Sequence, residues 1–437
     1  MDSEAGARRA PQARGGAAAG ERAGGACDSS PGGSSPDAPG GSSPGGSSPG
    51  GLLLGAGGRK RARTHSPSAE EPAAALLPSP SLAESVSVIV PVHNGERFLD
   101  ACLASIEAQS FRGALEVSVF LDGCTDGSRG VCERWGSRVV GLAGRRLSLV
   151  LGEGAAALGA GPARNRCVWQ SSGRWLCLLD ADDVMAPDRV ERQLAAARAR
   201  PHALVGSRFL REPADATERY SRWCNALSPE QLLWQRFREL PLIQPTWFLA
   251  RELFDAVGGY AEPGSDSACC QGDRVLAEDL DFFYRHLDRV RPEHRLGALH
   301  VVDAPLVTYR HSEGSASFRT PRKLLFRIKA AALERQLLTD PGWESFAIWG
   351  AGRDGKELFK LLSPACQARV REMYDVDPVK IKQGYSNSQL RTHVPVRHFS
   401  AARPPIILCV ATDRGGEFER NLASLNLLEG RDYVHFC

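Results

Sequence analysis

From residue 86 onward the chain alternates two kinds of apolar pattern, and this alternation limits its fold more than any other feature. Residues 86–90 (VSVIV) are continuous, β-branched and closed by Pro91. Over 94–109, Phe98, Leu99, Cys102, Leu103 and Ile106 recur at helical spacing. LEVSVFL (115–121) reads as a second strand and Gly127 onward as a second helix. LSLVLG (147–152) is a third strand, GPARNRCVWQS (161–171) a helix and WLCLL (175–179) a fourth strand. Strands that are apolar along their whole length are buried on both faces, and strand–helix alternation makes neighbouring strands parallel. The pattern predicts an α/β fold, a mostly parallel sheet with helices on both faces.

Beyond Val190 the alternation loosens. HALVGSRF (202–209) reads as a strand, and PTWFLARELFDAVGGY (245–260) as a strand or turn, then a helix and a Gly pair. LAEDLDFFYRHLDR (276–289) is an amphipathic helix, and APLVTYRHS (304–312) a strand ending in polar groups. A connecting helix is expected over 320–340. FAIWGAGRDGKELFKLL then opens a smaller Rossmann-like α/β unit, with MYDVDP and PPIILCVATD (404–413) as later strands. The expected organisation is a tail over 1–84, a main domain over 85–320, a connecting helix over 321–344 and a second domain over 345–437.

Residues 1–84 are rich in Gly, Ser, Pro, Ala and Arg, and GGSSP occurs three times. Such a stretch buries too little apolar surface to offset its ordering entropy, so it is expected to be disordered. Its basic run at 59–63 is a solvated charge run, a nuclear import signal or a patch for an anionic partner. A net charge of +3 over 437 residues does not suggest a dedicated nucleic-acid binder. No run of about 18 apolar residues suggests a transmembrane helix, and the N-terminus lacks the apolar core of a secretory leader. The twelve cysteines form no Cys-x-x-Cys pair, and no Asn-x-Ser/Thr sequon occurs. These features favour a reducing setting, hence a cytoplasmic location, with the nucleus as the alternative.

In an open parallel sheet, ligands bind beyond the carboxyl ends of the strands. The first strand runs into Pro91, His93 and Asn94, the second into Asp122, and the fourth into Asp180, Asp182 and Asp183. Singly, each is a good turn or cap residue; together they would line one crevice. Three carboxylates so close in sequence repel one another, and partial burial adds to the cost unless a cation neutralises them. A hard divalent ion, magnesium or manganese, takes carboxylate oxygens and usually substrate phosphates as well. A phosphorylated substrate is therefore implied.

VSVIVPVHNGERFLDACLASI, FLDGCTDGS, GPARN, LLDADD and AEDLDFFYR occur in this chain in the order seen in the inverting family 2 glycosyltransferases of the GT-A fold, which residues 86–312 resemble. The resemblance implies a UDP-sugar donor, with an N-acetylhexosamine such as N-acetylglucosamine as its sugar. It implies that Pro91, His93 and Asn94 shape the nucleotide loop and that Asp122 reads the uracil ring, although Leu121 stands where the family often has another acid. Arg164 and Asn165 would lie on the nucleotide side. Asp182 would hold the metal, Asp180 the ribose or the metal's water shell, and His311 a further metal position or only a place on the surface. Glu278-Asp279 would be the family's acid pair, with Asp279 as general base. Inverting transfer is an in-line displacement at the anomeric carbon, and one carboxylate must take the acceptor hydroxyl's proton. Without the resemblance, Glu278 and Asp279 also fit an acidic first helical turn. Trp247, Gly258 and Gly259 fall where the family builds its acceptor pocket, though a core Trp is the plainer reading. The acceptor is a glycan, a lipid or a protein; the sequence does not choose.

Two rival readings remain. One is a catalytically silent nucleotide-sugar binder acting as a scaffold. The other rests on Gly350, Gly352 and Gly355, a G-x-G-x-x-G between strand and helix, with Asp375 or Asp377 about 20 residues on, as a dinucleotide fingerprint requires. That spacing would suit a second nucleotide and an oxidoreductase, but no catalytic group accompanies it.

Overall fold

The structure is a computed structural model, and it describes residues 84–140, 147–272, 274–311, 320–412 and 415–437. The expected tail and the basic run at 59–63 lie outside the described residues.

The first sheet contains eight strands. They are β1 (Val86–Val92), β2 (Leu115–Asp122), β3 (Leu147–Gly154), β4 (Trp175–Leu178), β5 (Val184–Met185), β6 (Leu204–Glu212), β7 (Phe248–Ala250) and, after a short hairpin of β8 (Cys270–Gln271) and β9 (Arg274–Val275), β10 (Leu299–Arg310). Their order is β3-β2-β1-β4-β7-β6-β10-β5. The helices are α1 (Glu96–Glu107), α2 (Ser128–Val140), α3 (Ala160–Gln170), α4 (Arg189–Ala199), α5 (Glu218–Ala226), α6 (Pro229–Trp234), α7 (Arg251–Val257) and α8 (Glu278–Asp288). This is an α/β architecture, with the mostly parallel sheet that the alternation of patterns predicts.

Two local features depart from the sequence reading. First, β1 does not stop at Pro91 but pairs with β2 through Val92↔Leu121. The Val86 amide donates to Ala114 O on the β2 side, so alternation turns the Pro91 nitrogen towards β4. Pairing with β4 ends at Ile89↔Leu178, and the missing donor of proline therefore breaks no ladder bond. Second, β7 lies antiparallel between β4 and β6, and β5 antiparallel on β10. Pairing of Thr308 with Val184 brings Tyr309, Arg310 and His311 beside the acids that precede β5.

The second sheet is all parallel, in the order β15-β12-β11-β16-β17. Its strands are β11 (Phe346–Trp349), β12 (Val370–Asp375), β15 (Val396–His398), β16 (Ile406–Leu408) and β17 (Tyr433–His435), with a hairpin of β13 (Tyr385–Asn387) and β14 (Thr392–Val394) beside it. Helix α9 (Arg322–Gln336) joins the two sheets, and α10 (Arg353–Leu361) follows the Gly-rich turn. One cluster of buried side chains runs from Val86 through α9 to Phe436. Buried Lys329 on α9 donates to Arg238 O and to Phe436 O, both at 2.8 Å.

Candidate active site

The loops after β1 and β2 are stitched into one rim. Asn94 has a left-handed backbone (φ 51°) that its short polar side chain tolerates. Its Oδ1 accepts the Thr125 amide at 2.8 Å. His93 Nδ1 lies 2.6 Å from Asp122 O and donates to it. Asp126 accepts the Glu96 amide at 3.0 Å, while Glu96 accepts the Gly127 amide at 2.9 Å. Asp122 is buried, and its two oxygens accept the amides of Leu158 (2.8 Å) and Gly159 (2.9 Å). It thereby fixes the turn into α3, the helix that carries Arg164 and Asn165.

Asp180, Asp182 and Asp183 place one oxygen each within 4.8 Å of one another. Asp180 pairs with Arg164 Nη2 at 2.5 Å. Asp183 accepts the Arg310 amide at 2.8 Å, and its other oxygen is buried with no partner among the described residues. Burial first, and Asp180 second, push the Asp182 carboxyl up to about 6. Burial and the two neighbouring aspartates raise Asp183 as well. An all-oxygen donor set, mutual repulsion and an orphaned buried oxygen are what a hard divalent cation would satisfy. His311 is not part of this 4.8 Å group among the described residues. Its Nδ1 faces Arg211 Nη2 at 3.1 Å, and its amide donates to Glu212 O at 2.8 Å.

Arg164 joins the acid cluster to the acid pair on α8. Buried between them, it gives Nη2 to Asp180 and Nη1 to Glu278, the latter at 2.9 Å. These carboxylates raise its pKa against the effect of burial. Helix α8 begins after Ala277, which has a left-handed backbone (φ 56°) that costs an alanine about 1–2 kcal/mol. Asp279 accepts its neighbour Leu280's amide at 2.7 Å. Burial, and then the charge of Glu278, push Asp279 up to about 7. A carboxylate tuned near neutrality is suited to proton abstraction.

Asn165 clamps the chain after α7. Its amide group exchanges two 2.9 Å bonds with the Tyr260 backbone and gives a third, at 2.6 Å, to Glu262. Trp247 is fully buried, and its Nε1 donates to Leu242 O at 2.9 Å, so the plain core reading holds for it. The structure thus links Asp180, with Asp182 and Asp183 beside it, through Arg164 to Glu278, the chain neighbour of Asp279, while His93, Asn94 and Asp122 tie together the loops after β1 and β2. Sequence reasoning gave no role to Arg310, which also directs Nη1 to Asp182 O at 3.3 Å, or to Arg211. The only sequence signal for Arg310 was its place in the Tyr309-Arg310-His311 run.

In the second sheet the Gly-rich turn is tight. A Cβ on Gly355 would fall 1.9 Å from Gly350 O, whereas one on Gly352 would meet nothing within 4 Å. Asp375 accepts the amides of Ala351, Val376 and Asp377 and pairs with Lys380 at 3.0 Å. Of the two acids expected at a dinucleotide ribose, Asp375 is therefore already engaged by the Gly-rich turn and its own loop, and Asp377 accepts the Val379 amide at 2.8 Å.

Residues 87–258 match the family described as Glycosyl transferase family 2. Among curated proteins, glycosyltransferase GlyA of Streptococcus pneumoniae is 33% identical over 108 residues, which are 25% of this chain and 14% of that protein. The UDP-Glc:alpha-D-GlcNAc-diphosphoundecaprenol beta-1,3-glucosyltransferase WfgD of Escherichia coli is 30% identical over 110 residues, 25% of this chain and 40% of that protein. The chain thus spans less than half the length of either relative. Among solved structures, S. aureus TarS 1–349 in complex with UDP-GlcNAc aligns with a TM-score of 0.41 at 17% identity, over 64% of this chain and 71% of TarS. The mannosyltransferase PcManGT from Pyrobaculum calidifontis, in complex with GDP-Man and Mn2+, aligns with a TM-score of 0.42 at 17% identity, over 65% and 73%. Among the described residues, no helix is long and apolar enough to cross a membrane.

Proposed function

We propose that the protein is an inverting glycosyltransferase that moves a sugar from a UDP-sugar to an acceptor hydroxyl, with N-acetylglucosamine as the preferred sugar. The observation that carries this reading is the single buried Arg164 bound at once to the acid cluster and to the Glu278-Asp279 pair. It ties the group that would hold the leaving diphosphate to the group that would activate the acceptor. Asp182 and Asp180 would hold a divalent cation, manganese or magnesium, which when bound offsets the charge developing on the diphosphate. Asp279 takes the acceptor proton, and Arg164 compensates Glu278 so that Asp279 can ionise beside it. The match to family 2 over residues 87–258 supports the same reading, as does the UDP-sugar donor in the name of one relative.

The redox alternative finds no support in Asp375, whose oxygens are bound within the protein. Purified protein offered a panel of UDP-sugars with manganese should release UDP from one of them. Asp182→Ala should lose metal-dependent UDP binding by calorimetry. Asp279→Asn should keep that binding and lower turnover about 100- to 10,000-fold. Because burial holds Asp279 at about 7, wild-type kcat/KM should fall tenfold per pH unit below that value. Undiminished turnover in Asp279→Asn would falsify the base assignment, and full UDP binding with no turnover on any donor would favour the silent scaffold.

A further inference from the structure

We propose that Cys409 and Cys437 are a reversible dithiol–disulfide pair, a site of thiol–disulfide exchange at the edge of the second sheet. The inference is independent of the transferase reading.

Strands β16 and β17 are parallel neighbours, with Leu408 opposite His435. The Phe436 amide donates to Leu408 O at 2.9 Å, so the pairing reaches the ends of both strands. One step along, Cys409 lies beside Phe436, and Cys437 follows it. A strand spacing of about 4.8 Å and a rise of about 3.3 Å put the two Cα atoms about 6 Å apart. A disulfide spans that separation without backbone movement. The side chains also meet: the two sulfurs share a hydrogen bond. Both pack against the cluster that includes α9, and both are free thiols in the structure.

The surroundings divide the roles. Cys409 is buried, and burial first, then Cys437, keep its thiol protonated. Cys437 is half-buried. The bond from Cys409 lowers its thiol below the ordinary range; burial opposes this, and the Lys329 ammonium assists. Asp354 on α10 and Arg322 on α9 add smaller charges of opposite sign. The ammonium is fixed 2.8 Å from Phe436 O, the carbonyl that adjoins Cys437. A partly accessible thiolate beside a cation, with a second thiol in contact, is the arrangement that exchange requires.

The oxidant is a small disulfide. Cys437 Sγ attacks one of its sulfurs and expels a thiolate. The Cys409 thiol gives its proton to that thiolate, then attacks Cys437 Sγ and expels the second thiolate. One disulfide forms and one breaks; two electrons pass to the small disulfide, which leaves as one thiol and one thiolate. The bond closes at the carboxyl ends of the strands, where open sheets bind ligands. It lies beside the Gly-rich turn: a Cβ on Gly350 would fall 2.5 Å from Cys409 O.

The native full chain, treated with excess glutathione disulfide and mapped by non-reducing peptide mass spectrometry, should yield a Cys409–Cys437 link that dithiothreitol reverses. Cys409→Ala should stop at a glutathione adduct on Cys437, and Cys437→Ala should give neither the link nor an adduct on Cys409. In the reduced chain, Cys409→Ala should also slow alkylation of Cys437 by iodoacetamide about tenfold, because the bond that favours its thiolate is lost. Circular dichroism of each sample reports whether the fold persists. A wild type that keeps its fold and stops at the Cys437 adduct overturns the proposal, as does one in which neither cysteine reacts. A link that forms only once the chain has unfolded overturns it too.

Discussion

Asp182 illustrates how a residue can be unfavourable for the fold and useful to a site. Burial and Asp180 hold its carboxyl up at about 6, above the ordinary aspartate value of 3.8. A carboxyl whose folded pKa is raised stabilises the fold only while protonated, so stability is lost as pH rises from about 4 through 6. At pH 7.5 the metal-free protein therefore carries the full penalty, on the order of 1–2 kcal/mol after allowance for partial exposure. Asp182→Asn should remove it and raise Tm by on the order of 2 °C without metal. Manganese should raise Tm in the wild type and not in the variant. A variant that melts lower than the metal-free wild type would show that the carboxylate is structural. The burden of negative charge was legible in the sequence, because three acids so near one another cannot all be at ease in a partly buried turn. The means of its partial relief was not: the Arg310 amide on Asp183 comes from 127 residues away.

At the scale of elements, the geometry of the site depends on how closely α3 approaches α8. At Gly161 the approach is tight: a Cβ there would lie 2.9 Å from Glu278 Cγ and 3.0 Å from its Cβ. Gly161→Ala should push the start of α8 outward, with an overpacking penalty of about 1–3 kcal/mol. Because Glu278 and Asp279 form that first turn, kcat should fall more than tenfold while the fold survives. A variant with wild-type kcat would show that α8 moves freely there. Strands β1 to β4 and helices α1 to α3 were readable because each repeats its period over enough residues to show it. Strands β5 and β7, of two and three residues, are too short to show any period. Only pairing with distant chain reveals them, and β7 turns an expected parallel run antiparallel. The link between Arg164 and Glu278 spans 114 residues, so it too waited for the fold. Asn165 could be picked out as a site residue, but its hold on the Tyr260 backbone belongs to packing that no local pattern encodes.

For the whole molecule, the question is whether the two sheets stand or fall together. The sequence suggests a main unit and a smaller one, divided near Ser345. The core runs across that boundary without a break. On α9, the Phe326 ring meets Phe436 edge-on at 5.2 Å, and the α6 residue Trp234 fills the space beside Gly430 so closely that a Cβ there would lie 2.5 Å from its ring. Lys329 is the polar link: its ammonium donates to Arg238 O before α9 and to Phe436 O at the far end of the chain. Lys329→Met would leave both carbonyls without that donor, a loss of about 2–4 kcal/mol. Calorimetry of the full chain should show one transition that moves down as a whole. Two transitions, with only one displaced, would mean that the sheets unfold independently. The pH dependence gives a second reading. Burial pushes Lys329 down to about 8 from the ordinary lysine value of 10.5. A base depressed in the fold binds fewer protons there than in the unfolded chain, so stability should rise with pH between those two values. Lys329→Met should lack that rise, which separates the effect of the buried charge from that of a lost hydrogen-bond donor.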